Sequence, residues 1–280
     1  MYYGIDLPVI GDYADVRTLA ALAREAEATG WDGFFLYDQI APAAPTPLVD
    51  TWVALGAIAL STERIRFGPL VTPLARRRPW KVARETATLD QLSGGRLILG
   101  VGLGSDPAEF DDLGEAADPK VRAALLDEGL AVLDGLWRGQ PFSYSGRHYR
   151  LHEALFLPPP LQSPRIPVWV GGIWPNRAPF RRATRWDGAF PHYRGSDGAG
   201  MMMPPHALRE LMAFVRQHRT SADPFDVVIR NKAPSDDPAR EADQIALYAD
   251  AGLTWWLEGV EGRAGIADVQ ARIRQGPPGC

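Results

Sequence analysis

The sequence predicts a (β/α)₈ barrel, and three observations carry that reading. Short apolar, β-rich runs alternate with longer helical patterns from end to end, the order that parallel strands with right-handed crossovers require. The chain has 280 residues, close to the roughly 250 of one such barrel, so one domain spanning residues 1–280 is expected. A doubly wound open sheet is disfavoured, because "DLPVIGDY" rather than Gly-x-Gly-x-x-Gly follows the first strand.

Taken in order, the first strand is Tyr3 to Pro8. A helix follows with Leu19, Leu22, Ala23 and Ala26 at helical spacing and Gly30 as its stop. Strand two is Gly33 to Asp38, and its helix runs from about Asp50 to Leu60. Strand three is Ile65 to Val71, followed by a helix through Val82, Ala83, Thr86 and Leu89 to the turn Ser93-Gly94-Gly95. Strand four, "RLILGVGLG", is continuously apolar, as a strand buried on both faces should be. The fourth helix carries Leu126, Leu130, Leu133 and Leu136 and ends near Gly139. Residues 140–165 break the rhythm as an excursion with a short hairpin around Ser145-Gly146 and a proline-stiffened return. Strand five is Ile166 to Val170, ended by Gly171-Gly172, with an Arg-rich helical pattern at once after it. Strand six is Asp187 to Pro191 with a helix from about 205 to 218. Strand seven is Phe225 to Arg230 with a helix from 242 to 251. Strand eight is "TWWLEGV", and the last helix ends near Gly276.

Composition narrows the function. Apolar residues make up 46% and charged residues 23%, as in an ordinary globular protein with ample core. A net charge of −4 gives no global attraction for nucleic acid or an anionic membrane, so neither is an expected partner. No apolar window approaches the roughly 18 residues of a spanning helix, and no signal pattern opens the chain, so a cytoplasmic location is expected. The one cysteine, Cys280, excludes an internal disulfide framework, and the five histidines lack zinc-like spacing, so no metal site is expected. There is no Gly-x-Ser-x-Gly elbow, Walker loop or His-Glu-x-x-His, which argues against serine hydrolases of the α/β type, P-loop enzymes and zincins.

In such a barrel the active site lies at the carboxyl ends of the strands. Asp38 and Gln39 follow strand two; Asp38 either serves the site or caps the next loop. Gly102, Gly104 and Ser105 after strand four either admit a flat ligand close to the backbone or form a wide turn. Gly171-Gly172 either starts a helix through a plain turn or frees amides for an anion, helped by the helix dipole. Arg76-Arg77-Arg78 could bind an anionic group or be a solvated run. His192, just after strand six, is a candidate acid or base. Trp52, Trp80, Trp169, Trp174, Trp255 and Trp256 could line an aromatic cavity, and most of them are expected in the core.

The segments "TATLDQLSGGRLILGVGLG", "LWRGQPFSYSGRHY", "PRIPVWVGG" and "RWDGAFP" together resemble the bacterial luciferase-like flavin-dependent oxidoreductases, in the family's order and over nearly the whole chain. The resemblance implies a luciferase-like (β/α)₈ TIM barrel that binds FMN, or in one branch coenzyme F420, at its carboxyl face, commonly as a homodimer. It places a bulge, often with a non-prolyl cis peptide, at Pro69-Leu70-Val71-Thr72. It matches the phosphate site to Gly171, Gly172, Ile173 and Trp174, and the ring contacts to Asp38 and the Gly102 to Ser105 loop. Where relatives commonly carry a catalytic histidine, this chain has Gln39, which hydrogen-bonds but takes no proton near neutral pH. Asp38, Gln39 and His192 thus stand as the catalytic candidates. The expected activity is FMN-dependent monooxygenation of a small organic substrate, with a separate flavin reductase supplying reduced cofactor. An F420-dependent reductase or dehydrogenase, with Arg76 to Arg78 facing that cofactor's acidic tail, and a non-catalytic flavin-binding protein are the alternatives.

Overall fold

The computed structural model describes residues 1–42, 44–194, 200–231, 238–260 and 264–278. In chain order the elements are β1 Tyr2–Leu7, α1 Val16–Ala28, β2 Gly33–Leu36, α2 Thr51–Ser61, β3 Arg66–Pro69, β4 Thr72–Pro73, α3 Pro79–Ser93, β5 Leu99–Gly102 and α4 Pro119–Trp137. Then come β6 Phe142–Ser145, β7 Arg150–Ala154, β8 Val168–Trp174, α5 Arg177–Ala183, β9 Gly188–Arg194, β10 Gly200–Met201, α6 Pro205–His218, β11 Asp226–Asn231, α7 Pro238–Asp250, β12 Trp255–Gly259 and α8 Ile266–Arg274.

The strands run β3-β2-β1-β12-β11-β9-β8-β5-β4, parallel along the whole path. β3 falls within the expected third strand, Ile65 to Val71, but ends at Pro69; the chain resumes pairing as β4 at Thr72-Pro73, beyond the expected end, after the cis peptide Leu70-Val71. A parallel bridge between Phe67 of β3 and Leu97, just before β5, links the two sides of the path, with Ile98 N donating to Phe67 O at 2.9 Å. The sheet is thereby closed into the predicted barrel.

Side-chain alternation along these strands builds two cores. Phe35, Leu70, Ile98, Trp169, Phe190, Val228, Trp255 and Leu257 fill the barrel interior. A larger cluster, including Leu19, Leu55, Val82, Leu133, Phe180, Leu211 and Ile273, lies between sheet and helices. Asp15, Asp50 and Asp118 start α1, α2 and α4 by accepting from backbone amides of their first turns.

The excursion contains the expected hairpin: β6 and β7 pair antiparallel with Tyr144 opposite Leu151. Glu128 of α4 accepts from the amides of Arg147, His148 and Tyr149 and ties the turn to the barrel. The fifth barrel strand corrects the sequence reading. It does not stop at Val170 but runs through both glycines to Trp174, because β9 keeps pairing with it as far as Trp174 opposite Tyr193. Nor does the helix restart at once; Pro175 and Asn176 intervene, and Asn176 Oδ1 accepts from Ala178 N at 3.2 Å. The loop after strand seven (232–237), residues 261–263 after strand eight, Gly195 after strand six and Cys280 lie outside the described residues.

Candidate active site

The carboxyl end of the barrel is built by residues that alternate inward along the strands. Val71 stands at its centre. A Cβ added to Gly102 would meet Val71 Cγ2 at 2.6 Å, and one added to Gly171 would meet Val71 Cγ1 at 3.2 Å. Two strands with no side chain thus bring their backbones against one valine, which makes a shelf of Val71, Gly102 and Gly171. Such a shelf fits a planar ring, since nothing projects from it.

Across the barrel the mouth is polar. Asp6 of β1 and Arg230 of β11 form an ion pair, and Asp6 is fully buried. The guanidinium lies 4.5 Å from the Tyr37 ring centre and 5.3 Å from that of Phe190. Burial pushes the Asp6 carboxyl from 3.8 up to about 6 against the pull of the Arg230 charge. A carboxyl whose folded-state pKa is raised contributes stability below its unfolded pKa and loses it as pH rises through the folded one. Asp6→Asn is therefore expected to remove a pH-dependent component of roughly 3 kcal/mol between about pH 4 and pH 6. In denaturant melts, the stability of the native protein relative to the variant should fall across that window; a constant difference would refute the shift.

The sequence-predicted residues divide between the mouth and its frame. Asp38 is buried and saturated: Trp52 Nε1 donates to Oδ2 at 3.1 Å, Thr72 Oγ1 to Oδ2 at 2.7 Å and Arg77 to Oδ1 at 2.8 Å. Arg76 bonds Oδ1 at 3.1 Å and also reaches Glu109 at 3.0 Å. Arg76 and Arg77 are accordingly neither a solvated run nor an open anion site, while Arg78 is exposed. Gln39 is half-buried, with no side-chain hydrogen bond to another described residue. His192 is exposed on β9, its ring 4.8 Å from that of Phe190. Pro69 ends β3 opposite Leu36, and Leu70 is buried in the interior core.

The two glycines of β8 point opposite ways. A Cβ on Gly172 would strike Pro179 Cβ at 2.3 Å, so this glycine lets α5 approach the sheet and faces away from the mouth. Trp174 also faces outward, its ring 5.5 Å from Phe180 and 6.1 Å from Phe214, so most of it is core, while it also lines the cavity beside Ile173. Ile173 is exposed beside Tyr193, Arg194 and His206, where a cavity of about 520 Å³ opens. Gly104 has φ +75 and turns the chain over Phe110, and Ser105 beside it is exposed. Asp6 and Arg230 were missed because they lie within strands, not on the loops after them. Strand alternation was the available signal: Gly4 and Asp6 share the inward face.

Comparison with known proteins decides the family. The model of luciferase-like monooxygenases matches residues 6–276. The chain belongs to the luciferase-like monooxygenase family. An uncharacterized protein of Mycobacterium bovis is 31% identical over 227 residues, 74% of each chain. An F420-dependent secondary alcohol dehydrogenase is 17% identical over 99% of this chain and 98% of its own, with a TM-score of 0.80. The monooxygenase RslO1 of Streptomyces bottropensis is 18% identical over 98% and 97%, at 0.77. The oxygenating constituent of 3,6-diketocamphane monooxygenase of Pseudomonas putida, solved with FMN, is 18% identical over 88% of this chain and 71% of its own, at 0.66. At these identities the structures establish the luciferase-like fold and leave the reaction to the site. Among the described residues no helix is long and apolar enough to cross a membrane, and no group of three or more His, Cys, Asp or Glu could hold a metal ion.

Proposed function

We propose that this luciferase-like protein is an FMN-dependent monooxygenase of a small organic substrate. The shelf of Val71, Gly102 and Gly171 at the carboxyl face carries the reading, because two glycine backbones packed on one valine side chain offer a planar ring a flat, apolar seat. Gly104 and Ser105 border it on the loop after β5, and Ile173 stands at the rim of the adjoining cavity. When bound, reduced FMN supplies the electrons for oxygen chemistry. The chain's own contribution is to hold the ring on the shelf, keep water off it with the apolar interior below, and bind substrate with the polar groups opposite. Catalytic roles for Asp38 and Gln39 find no support in the bonding: Asp38 has no open acceptor site, and Gln39 carries no titrating group. His192 keeps its place as an acid or base at the rim. A separate reductase remains the proposed source of reduced flavin.

An F420-dependent reaction is the second reading, supported by the full-length likeness to the F420-dependent alcohol dehydrogenase. The arginines proposed for that cofactor's acidic tail weigh against it, since Arg76 and Arg77 are already neutralised by Asp38 and Glu109. Absorbance titration of the purified protein with FMN and with F420 separates the two. Tighter binding of F420 would overturn the first reading, and binding of neither would remove both.

Gly171→Leu tests the shelf. The added side chain should weaken FMN binding at least about tenfold with little change in thermal melting, since Gly171 has more room than its neighbours. Unchanged FMN affinity would show that the ring sits elsewhere. Gly172→Glu is unsuited to the purpose, because its first effect is to push α5 off the sheet.

A homodimer through α2 and α3 is also proposed. α2 contains no charged residue, Val53 and Leu60 are 64% and 73% exposed, and Val53 lines a surface groove together with Leu92 of α3. Lys81, Arg84 and Glu85 of α3 border that groove, so an apolar patch with a rim carrying both signs of charge is offered to a self-complementary twofold contact. Leu60→Glu should convert the dimer to monomer in light scattering; a native protein that is already monomeric would refute the surface.

A further inference from the structure

The ion pair in the mouth is more than a strut between strands. Asp6 Oδ1 and Arg230 Nε are both buried and have no hydrogen-bond partner among the described residues. Leaving such groups unmade is costly, so their natural complement is a ligand offering one acceptor and one donor side by side. The placement is also prepared by the backbone. Asp6 lies opposite Gly259 in the ladder, and a Cβ at 259 would meet Arg230 Cδ at 2.4 Å; the glycine lets Arg230 lie across β12 to reach Asp6. The Tyr37 and Phe190 rings flank the guanidinium and leave its hydrogen-bonding plane to the ligand.

We propose that Asp6 and Arg230 form a clamp for the planar O=C–X–H group, X being oxygen or nitrogen, of a carboxylic acid or amide substrate. The proposal rests on the mouth being the active site. Arg230 donates to the carbonyl oxygen; Asp6 Oδ1 accepts from the N–H of an amide, or, once protonated, donates its O–H to the second oxygen of a carboxylate. An amide binds with no proton moved. A carboxylate binds together with one solvent proton, which forms the Asp6 O–H bond, while the ligand's negative charge is balanced by Arg230. The raised Asp6 carboxyl supports that uptake near neutral pH. Among the described residues, the titratable groups beside the pair include Tyr37 from the chain after β2 and His192 beside Phe190 on β9. Glu258 of β12 points outward to Arg272 of α8.

The test is calorimetric titration of the cofactor-free protein with benzoate and with benzamide, in buffers of different ionisation enthalpy. Both probes should bind, and benzoate should take up about one proton at pH 7.5. Asp6→Asn should bind benzoate at least about tenfold tighter with no proton uptake, because the competing charge is gone. Arg230→Gln should lose benzoate by at least about tenfold. Gly259→Ala, which displaces Arg230 without deleting a charge, should weaken both probes. Absence of probe binding to the native protein, or equal effects of Asp6→Asn and Arg230→Gln on benzoate, overturns the clamp. The FMN and F420 titrations are separate measurements, so failure of the cofactor reading is distinguishable from failure of the clamp.

Discussion

Replacing Gly68 with alanine is expected to abolish the folded barrel. Gly68 faces inward on β3, and an added Cβ would lie 1.8 Å from the carbonyl oxygen of Ile98 and 2.9 Å from its carbon. Both are backbone atoms, so no rotamer change relieves the overlap. The contact falls on the seam that closes the sheet, where Phe67 N donates to Arg96 O at 3.2 Å and Ile98 N to Phe67 O at 2.9 Å. Opening the seam breaks these bonds and uncovers the interior core around Ile98. The cost should exceed about 4 kcal/mol, read as loss of soluble protein or collapse of the melting temperature. Gly56 of α2 is the control: a Cβ there meets nothing within 4 Å, so Gly56→Ala should stabilise by up to about 1 kcal/mol. A Gly68→Ala protein that melts within a few degrees of the native one would show that the strands are not in this register.

Asp38→Ala should cost about 3–5 kcal/mol, the usual loss when one member of a buried charge network is removed. The carboxylate balances two guanidiniums, and the Arg76 side chain, only 2% exposed, would keep Glu109 alone as counter-charge. Trp52 and Thr72 lose their acceptor in the same step. Because Thr72 adjoins Val71, the shelf should loosen as well, and FMN affinity should fall in parallel with stability. Replacing Arg77 by Met in the Asp38→Ala background should recover part of the loss, since Arg77 loses its carboxylate partner there. A catalytic role makes the opposite prediction: Asp38→Asn would keep the native melting temperature and lose turnover.

The barrel was legible because its information is periodic. "RLILGVGLG" reads as a buried strand from its continuous apolar run alone, and Leu126, Leu130, Leu133 and Leu136 mark a helix by spacing alone. The hairpin in the excursion was legible for the same local reason, a turn pair between alternating residues. The position of the bulge at Pro69 to Thr72 came instead from the family resemblance, and the structure places its cis peptide at Leu70-Val71.

The site was only half legible, and the paired glycines show why. Composition says that Gly171 and Gly172 let something come close, but not what. A strand's neighbours point to opposite faces, so one glycine had to face the mouth and the other the helices. Which was which depends on the phase of β8 relative to β5 and β9, a property of the assembled sheet. The structure gives the mouth to Gly171 and the α5 contact to Gly172. The arginine run failed similarly: nothing local says that Asp38 and Glu109 fold back onto Arg76 and Arg77. The sequence by itself determined the order of strands and helices and the excursion, because these follow from spacing along one chain. The tertiary structure alone decided that Asp6 and Arg230 meet across Gly259, because residues 224 positions apart become partners only when the sheet closes.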